Sequence, residues 1–147
     1  MLRIASAALL TAALLMPTTS MAQNLDPIKE RKKILKSFGD ATKAPGKMLK
    51  NEETFDLAKV KAALKTYQEG TAKLPALFPD DSKTGGDTEA LPAVWEKKQD
   101  FEGLYKKLGE DAKKAEEAIT DEISFLEEFP KVAANCGGCH KIYREKK

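Results

Sequence analysis

Residues 121–143 read DEISFLEEFPKVAANCGGCHKIY. Ile123, Leu126, Phe129, Val132, Ala133, Cys136, Cys139, His140 and Tyr143 keep a helical rhythm and share one face of a helix that begins around Asp121. Pro130 falls inside this run and is expected to bend the helix, because proline removes a backbone donor and crowds the preceding turn.

Working outward, the preceding segments repeat the pattern. A third helix is expected over Val94, Trp95, Phe101, Leu104, Tyr105, Leu108, Ala112 and Ala115, ending near Thr120. A second carries Leu57, Val60, Leu64, Tyr67, Thr71, Leu74 and Phe78, between the capping candidate Asp56 and Pro79. A first carries Ile28, Leu35, Phe38, Ala41, Pro45 and Leu49, with Arg31 filling the gap at helical spacing. Asp26 and Pro27 offer that helix a cap and a preorganised first turn, and Ala44-Pro45-Gly46 should kink or briefly interrupt it. The polar stretch Asp80 to Glu89, DDSKTGGDTE, is the one long loop, long enough to raise a functional question. No run of alternating apolar and polar residues makes a convincing strand. The fold class expected is all-α: an antiparallel four-helix bundle around one shared core.

The chain has 147 residues, 33% of them charged, which suits one small soluble domain. Its start, residues 1–22, carries Arg3, the apolar run Ile4 to Met16, Pro17 and the small-residue tripeptide Ser20-Met21-Ala22, and reads as a secretory signal peptide. The apolar run is shorter than the ~20 residues a membrane-spanning helix needs. Residues 23–147 are therefore expected to form the mature domain, exported to the periplasm and without a membrane segment. Losing Arg3 moves the formal charge from +2 to +1, which gives no electrostatic reason to propose nucleic acid as a partner. The many Lys-Lys and Glu-Glu pairs read as a solvated helix surface.

Cys136-Gly137-Gly138-Cys139-His140 has the spacing of a c-type haem attachment site. On a helix, positions i and i+3 face the same way, so two thiols there can each add to one vinyl group of a porphyrin. His140 follows on the same face and can set an imidazole nitrogen under the iron, while the two glycines leave room for the macrocycle edge. A structural zinc site needs four ligands, and the sequence has two Cys and one His. A thioredoxin-like dithiol normally follows a strand in a mixed sheet. A simple disulfide stays open for an exported chain. Export, an all-α fold and the trailing His together favour one covalent haem c on Cys136 and Cys139, with His140 as the iron ligand.

The sixth coordination position decides the function. There is no second His, and Met1, Met16 and Met21 lie in the signal segment, leaving Met48. The segments Cys136–Arg144, Arg31-Lys32-Lys33-Ile34-Leu35, Leu74-Pro75-Ala76-Leu77-Phe78-Pro79 and Thr84-Gly85-Gly86-Asp87 with Trp95 after it resemble, in order, the landmarks of the cytochrome c′ family. The resemblance implies a left-handed bundle holding one five-coordinate haem, with a hydrophobic first-helix side chain over its distal face. That position falls on Leu35, where low-spin relatives have a Met that binds iron. Met48 lies 13 residues beyond Leu35, roughly 20 Å along an unbroken helix, and reads as a core residue near the bundle end. By the same resemblance Arg31 and Lys32 meet the haem propionates, Asp87 touches the same edge, with Thr88 and Glu89 as weaker candidates, and Arg144 sits on the proximal side near the haem. A homodimer through the first two helices is also implied.

Two functions follow. One is a non-enzymatic protein that binds nitric oxide and carbon monoxide at a high-spin iron in a hydrophobic pocket, with electron transfer as an accompanying capacity. The alternative is an electron carrier with a six-coordinate haem, serving an unidentified periplasmic redox partner. A slow peroxidase lacks a distal His or Arg to assist it.

Overall fold

The computed structural model describes residues 24–146, and the signal-peptide reading of residues 1–22 lies outside them. Helix α1 spans Leu25–Leu49. Its cap is Asn24, whose side chain accepts from the Asp26 amide at 3.4 Å. The expected cap, Asp26, stands instead in the first turn with Pro27, where backbone donors have no helical partner to lose. Pro45 does not interrupt the helix, which runs through it to Leu49 with the proline ring buried.

Helix α2 spans Leu57–Lys73, and the Asp56 carboxylate accepts from the Lys59 amide at 3.1 Å, as its sequence indicates. It ends short of Phe78, because Pro75 has no N–H to continue the ladder and the chain tightens into a 3₁₀ turn over Leu74–Leu77. The third helix of the sequence is two: a single turn α3, Ala93–Glu96, and α4, Lys98–Ala118, separated by Lys97 at φ −121°, ψ 45°. Helix α5, Glu122–Tyr143, opens on a capping box in which Ser124 N–H donates to Asp121 Oδ1 at 2.8 Å and Asp121 N–H donates to Ser124 Oγ at 3.1 Å. It continues unbroken through Pro130.

Cross-helix contacts fix the directions. Thr42 meets Tyr67 while Ile34 and Phe38 crowd Gly70, so α1 and α2 are antiparallel. Gln68 reaches Glu116 while Thr71 lies against Gly109, and Asn135 reaches Asp111 while Tyr143 stacks on Phe101, so α4 opposes both α2 and α5. Helix α1 packs on α2, α2 on α4 and α4 on α5, but α1 and α5 do not pack closely on each other. One end of the core is the aromatic group Phe78, Phe101, Tyr105 and Tyr143; the other joins Phe55, Phe125 and Phe129.

The loop after α2 turns back over α1 through Gly85, Gly86 and Asp87, which have φ of 86°, 54° and 52°. It then ties to the C-terminus: Ala90 and Arg144 form an isolated antiparallel bridge, Leu91 N–H donates to Tyr143 O at 3.0 Å and Glu145 N–H to Glu89 O at 2.8 Å. Among the described residues there is no strand longer than this bridge.

A side chain at Gly70 would collide with the Phe38 ring and Ile34 Cγ2, whereas one at Gly103 of α4 would meet open space. Gly70→Ala should lower the stability of the haem-loaded protein by ~1–3 kcal/mol through overpacking. Gly103→Ala should raise it by ~0.5–1 kcal/mol through helix propensity alone. Denaturant unfolding of both variants checks the opposite signs.

Candidate functional site

The separation of α1 from α5 leaves a cavity of about 630 Å³, within the range of small-molecule sites. Leu35, Phe38, Gly39 and Thr42 line it from α1, Leu104, Tyr105 and Leu108 from α4, and Cys136, Cys139, His140 and Tyr143 from α5. Residues 87–90 of the loop close one end, beside Arg31, Lys32 and Arg144. The sequence-predicted residues Arg31, Lys32, Leu35, Asp87, Cys136, Cys139, His140 and Arg144 thus all reach one cavity.

Both cysteines are half-buried free thiols on the cavity face of α5. Burial pushes the Cys136 thiol up, and burial with the neighbouring Cys136 pushes Cys139 up to about 11. Desolvation, reinforced by Arg144 and opposed by Glu89, lowers the pKa of His140. Its imidazole is therefore neutral at physiological pH and has a lone pair to offer a metal. Gly137 and Gly138 lie outside the lining, exposed, and a Cβ on either would meet nothing within 4 Å. No protein side chain therefore crowds the backbone at Gly137 or Gly138.

Facing these groups from α1, Leu35 points an aliphatic side chain into the cavity, 37% exposed. The Thr42 hydroxyl on the same wall is committed. Thr42 Oγ1 donates to Phe38 O at 2.7 Å, and Tyr67 OH, 2.6 Å away, donates to Thr42. Met48 is 3% exposed in the core and outside the cavity lining, so its place agrees with a packing role.

Arg31 does more than the sequence suggested. It is 2% exposed, and its Nη1 donates to Leu77 O at 3.0 Å and Ser82 Oγ at 2.8 Å, while Nη2 donates to Ser82 O at 3.0 Å and Thr88 Oγ1 at 2.8 Å. The guanidinium also lies 4.5 Å from the Phe78 ring centroid. Burial lowers its pKa. With both Nη atoms engaged, only the Nε–H remains for a carboxylate inside the cavity. Lys32 Nζ donates to the carbonyls of Gly86 at 3.1 Å and Asp87 at 3.3 Å. Arg144 Nε donates to Glu89 Oε2 at 2.7 Å. All three basic residues therefore hold the loop, a role that sequence reasoning missed; the one signal was an arginine standing at an apolar-stripe position of α1.

The donor set fits a covalent haem. Two thiols and an imidazole share one helix face, an aliphatic side chain stands opposite, the walls are mostly aromatic and aliphatic, and cationic residues gather at one rim. Among the described residues no group of three or more His, Cys, Asp or Glu is placed to hold a bare metal ion.

A family model described as Cytochrome C' matches residues 26–144. The chain is similar to a cytochrome c' of Rhodopseudomonas palustris, 48% identical over 122 residues, covering 83% of this chain and 84% of that one. It is also similar to a cytochrome c-556 of Agrobacterium fabrum, 36% identical over 82% of each chain. A solved structure of Rhodopseudomonas palustris cytochrome c' superposes with a TM-score of 0.82 at 48% identity, covering 84% of this chain and 99% of that one.

Replacing Arg31 by Met removes the donors to Leu77 O, Ser82 O, Ser82 Oγ and Thr88 Oγ1 while keeping an apolar stem. The expected loss is ~3 kcal/mol, with faster hydrogen exchange at the amides of Ser82 and Ala90. Lys32→Met, at an exposed site, should stay within ~0.5 kcal/mol. Exchange mass spectrometry with denaturant unfolding separates the two.

Proposed function

The chain belongs to the cytochrome c′ family, and on that premise we propose that it is a periplasmic protein that binds nitric oxide and carbon monoxide at a five-coordinate haem iron, without enzymatic turnover. It carries haem c, as its family does, through its only two cysteines, Cys136 and Cys139. The described residues contain no helix long and apolar enough to cross a membrane.

When bound, the haem supplies an iron that takes one ligand from the protein and can take one from outside. His140 presents the protein's ligand as a neutral imidazole. Arg144, one turn further on and anchored by Glu89, adds a fixed positive charge beside it. Arg31 through its Nε–H, with Lys32 and Asp87 at the same rim, would face the propionate edge. Leu35 would cover the opposite face with carbon, and the Thr42 hydroxyl on the same wall, which donates to Phe38 O and accepts from Tyr67, offers no proton to water, an anion or bound dioxygen. A small uncharged diatomic needs only that Leu35 swing aside. The observation that carries this reading is Leu35, a side chain with no donor atom, in the lining of the cavity that His140 also lines.

A second reading, one-electron exchange with an exported protein, is supported by the basic composition of α1. That helix has seven Lys or Arg against three Asp or Glu and forms one cavity wall. A homodimer would use the outer faces of α1 and α2, where Leu25 is the one large exposed hydrophobic outside the cavity. Such pairing would rest on polar contacts and weaken with salt.

The ferrous protein at neutral pH should give a broad high-spin Soret band that sharpens and shifts with both nitric oxide and carbon monoxide. Split low-spin bands unmoved by carbon monoxide would mean a sixth protein ligand and would put the electron carrier first. Leu35→Ala should speed carbon monoxide association about tenfold, a barrier change of ~1.4 kcal/mol, by stopped flow. Leu35→Met should convert the spectrum to low spin.

A further inference from the structure

Beside the large cavity, on α1, lies a second groove of about 420 Å³. The two share Gly39 and Thr42, so the groove opens next to the wall that faces Cys136. Its floor is smooth: a Cβ at Gly39 or Gly46 would meet nothing within 4 Å. Lys43, Lys47 and Lys50 stand around it, with Glu52 as its one acid. Lys43 shares Asp40 with Lys36, at 2.7 and 2.6 Å, whereas Lys47 and Lys50 have no ion-pair partner among the described residues. The opposite wall of the large cavity, α5, has two Lys against three Glu, so positive charge is concentrated on the α1 lip.

We propose that this groove, Gly39 to Lys50, docks a carboxylate-rich surface of a redox protein and brings it to the Cys136 edge of the haem. The proposal rests on the electron-exchange reading. One electron leaves the ferrous iron, which becomes ferric, and reduces a one-electron acceptor in the partner; no bond forms or breaks and no proton moves. The lysines steer and orient the acidic partner, and the glycine floor lets its backbone come close.

The test is stopped-flow oxidation of the ferrous haem protein, wild type against K43E/K47E/K50E. These three lysines lie outside the large cavity, so an unchanged Soret band and carbon monoxide complex report an intact haem site. At about 10 mM ionic strength, where screening reaches only beyond ~30 Å, ferricyanide should oxidise the variant about tenfold more slowly than wild type. The cationic cobalt tris-phenanthroline should oxidise the variant faster, and at about 1 M salt the two proteins should converge. Poly-L-glutamate should slow ferricyanide oxidation of wild type and leave the variant unaffected. Equal low-salt rates in the two proteins would overturn the proposal by placing electron exit elsewhere. A ferricyanide contrast without any poly-L-glutamate effect would also overturn it, leaving a groove that attracts small anions only. Failure of either reagent to oxidise either protein would remove the electron-exchange reading itself, and the docking site with it.

Discussion

The distance kept between α1 and α5 is the constraint on which the rest of the structure depends. In a bundle whose core is filled by side chains, all neighbouring helices close on one another. Here α1–α2, α2–α4 and α4–α5 close, and the last pair of faces is held open around about 630 Å³. Left unfilled, the apolar walls of that space would face water, a cost that counts against a typical total stability of about 5–15 kcal/mol. Folding and the filling of that space are therefore coupled. A covalent link through two thiols on α5 makes the filling of that space permanent.

An open seam must also be kept from collapsing, and polar contacts outside the apolar core do this. Arg31 is the chief of them. A buried guanidinium is costly unless its donors are used, and both Nη atoms are used on Leu77, Ser82 and Thr88, with the Phe78 ring beneath the plane. The loop so fixed to α1 is fixed to α5 as well, through the Ala90–Arg144 bridge and the Arg144–Glu89 pair. The loop thus spans the two helices that do not pack closely on each other and ties them together across the gap.

Much of this was legible in sequence because helical periodicity and the spacing of Cys136, Cys139 and His140 are local properties. The four principal helices, the Asp56 cap, the all-α class and the convergence of the site residues on one cavity agree with the reading. What was not legible depends on partners distant in the chain. Pro45 was expected to kink or briefly interrupt α1, but the helix runs on through it, since a helix held along one side by α2 and the core tolerates one missing bond. Phe78 keeps the apolar rhythm of α2 yet leaves the helix, because Pro75 cannot supply the backbone donor. Lys97 divides the third helix with no proline or glycine of its own. The bonds of Arg31 to the loop span up to 57 residues of sequence, beyond any periodic signal.

The two walls of the cavity divide the chemistry between them. Helix α5 brings both thiols for covalent bonds and the imidazole for a metal, and the environment of His140 keeps that imidazole neutral. Beyond Arg31, Lys32 and Lys36, helix α1 brings carbon: Leu35 and Phe38 line the cavity, and the hydroxyl of Thr42 is turned to its own helix. Leu35, Phe38 and Thr42 offer no replacement hydrogen bond on that side, and desolvating a charged or strongly hydrated species without one costs several kcal/mol. A diatomic that is barely hydrated loses little on entry. Discrimination built on such a wall would need no specific recognition group.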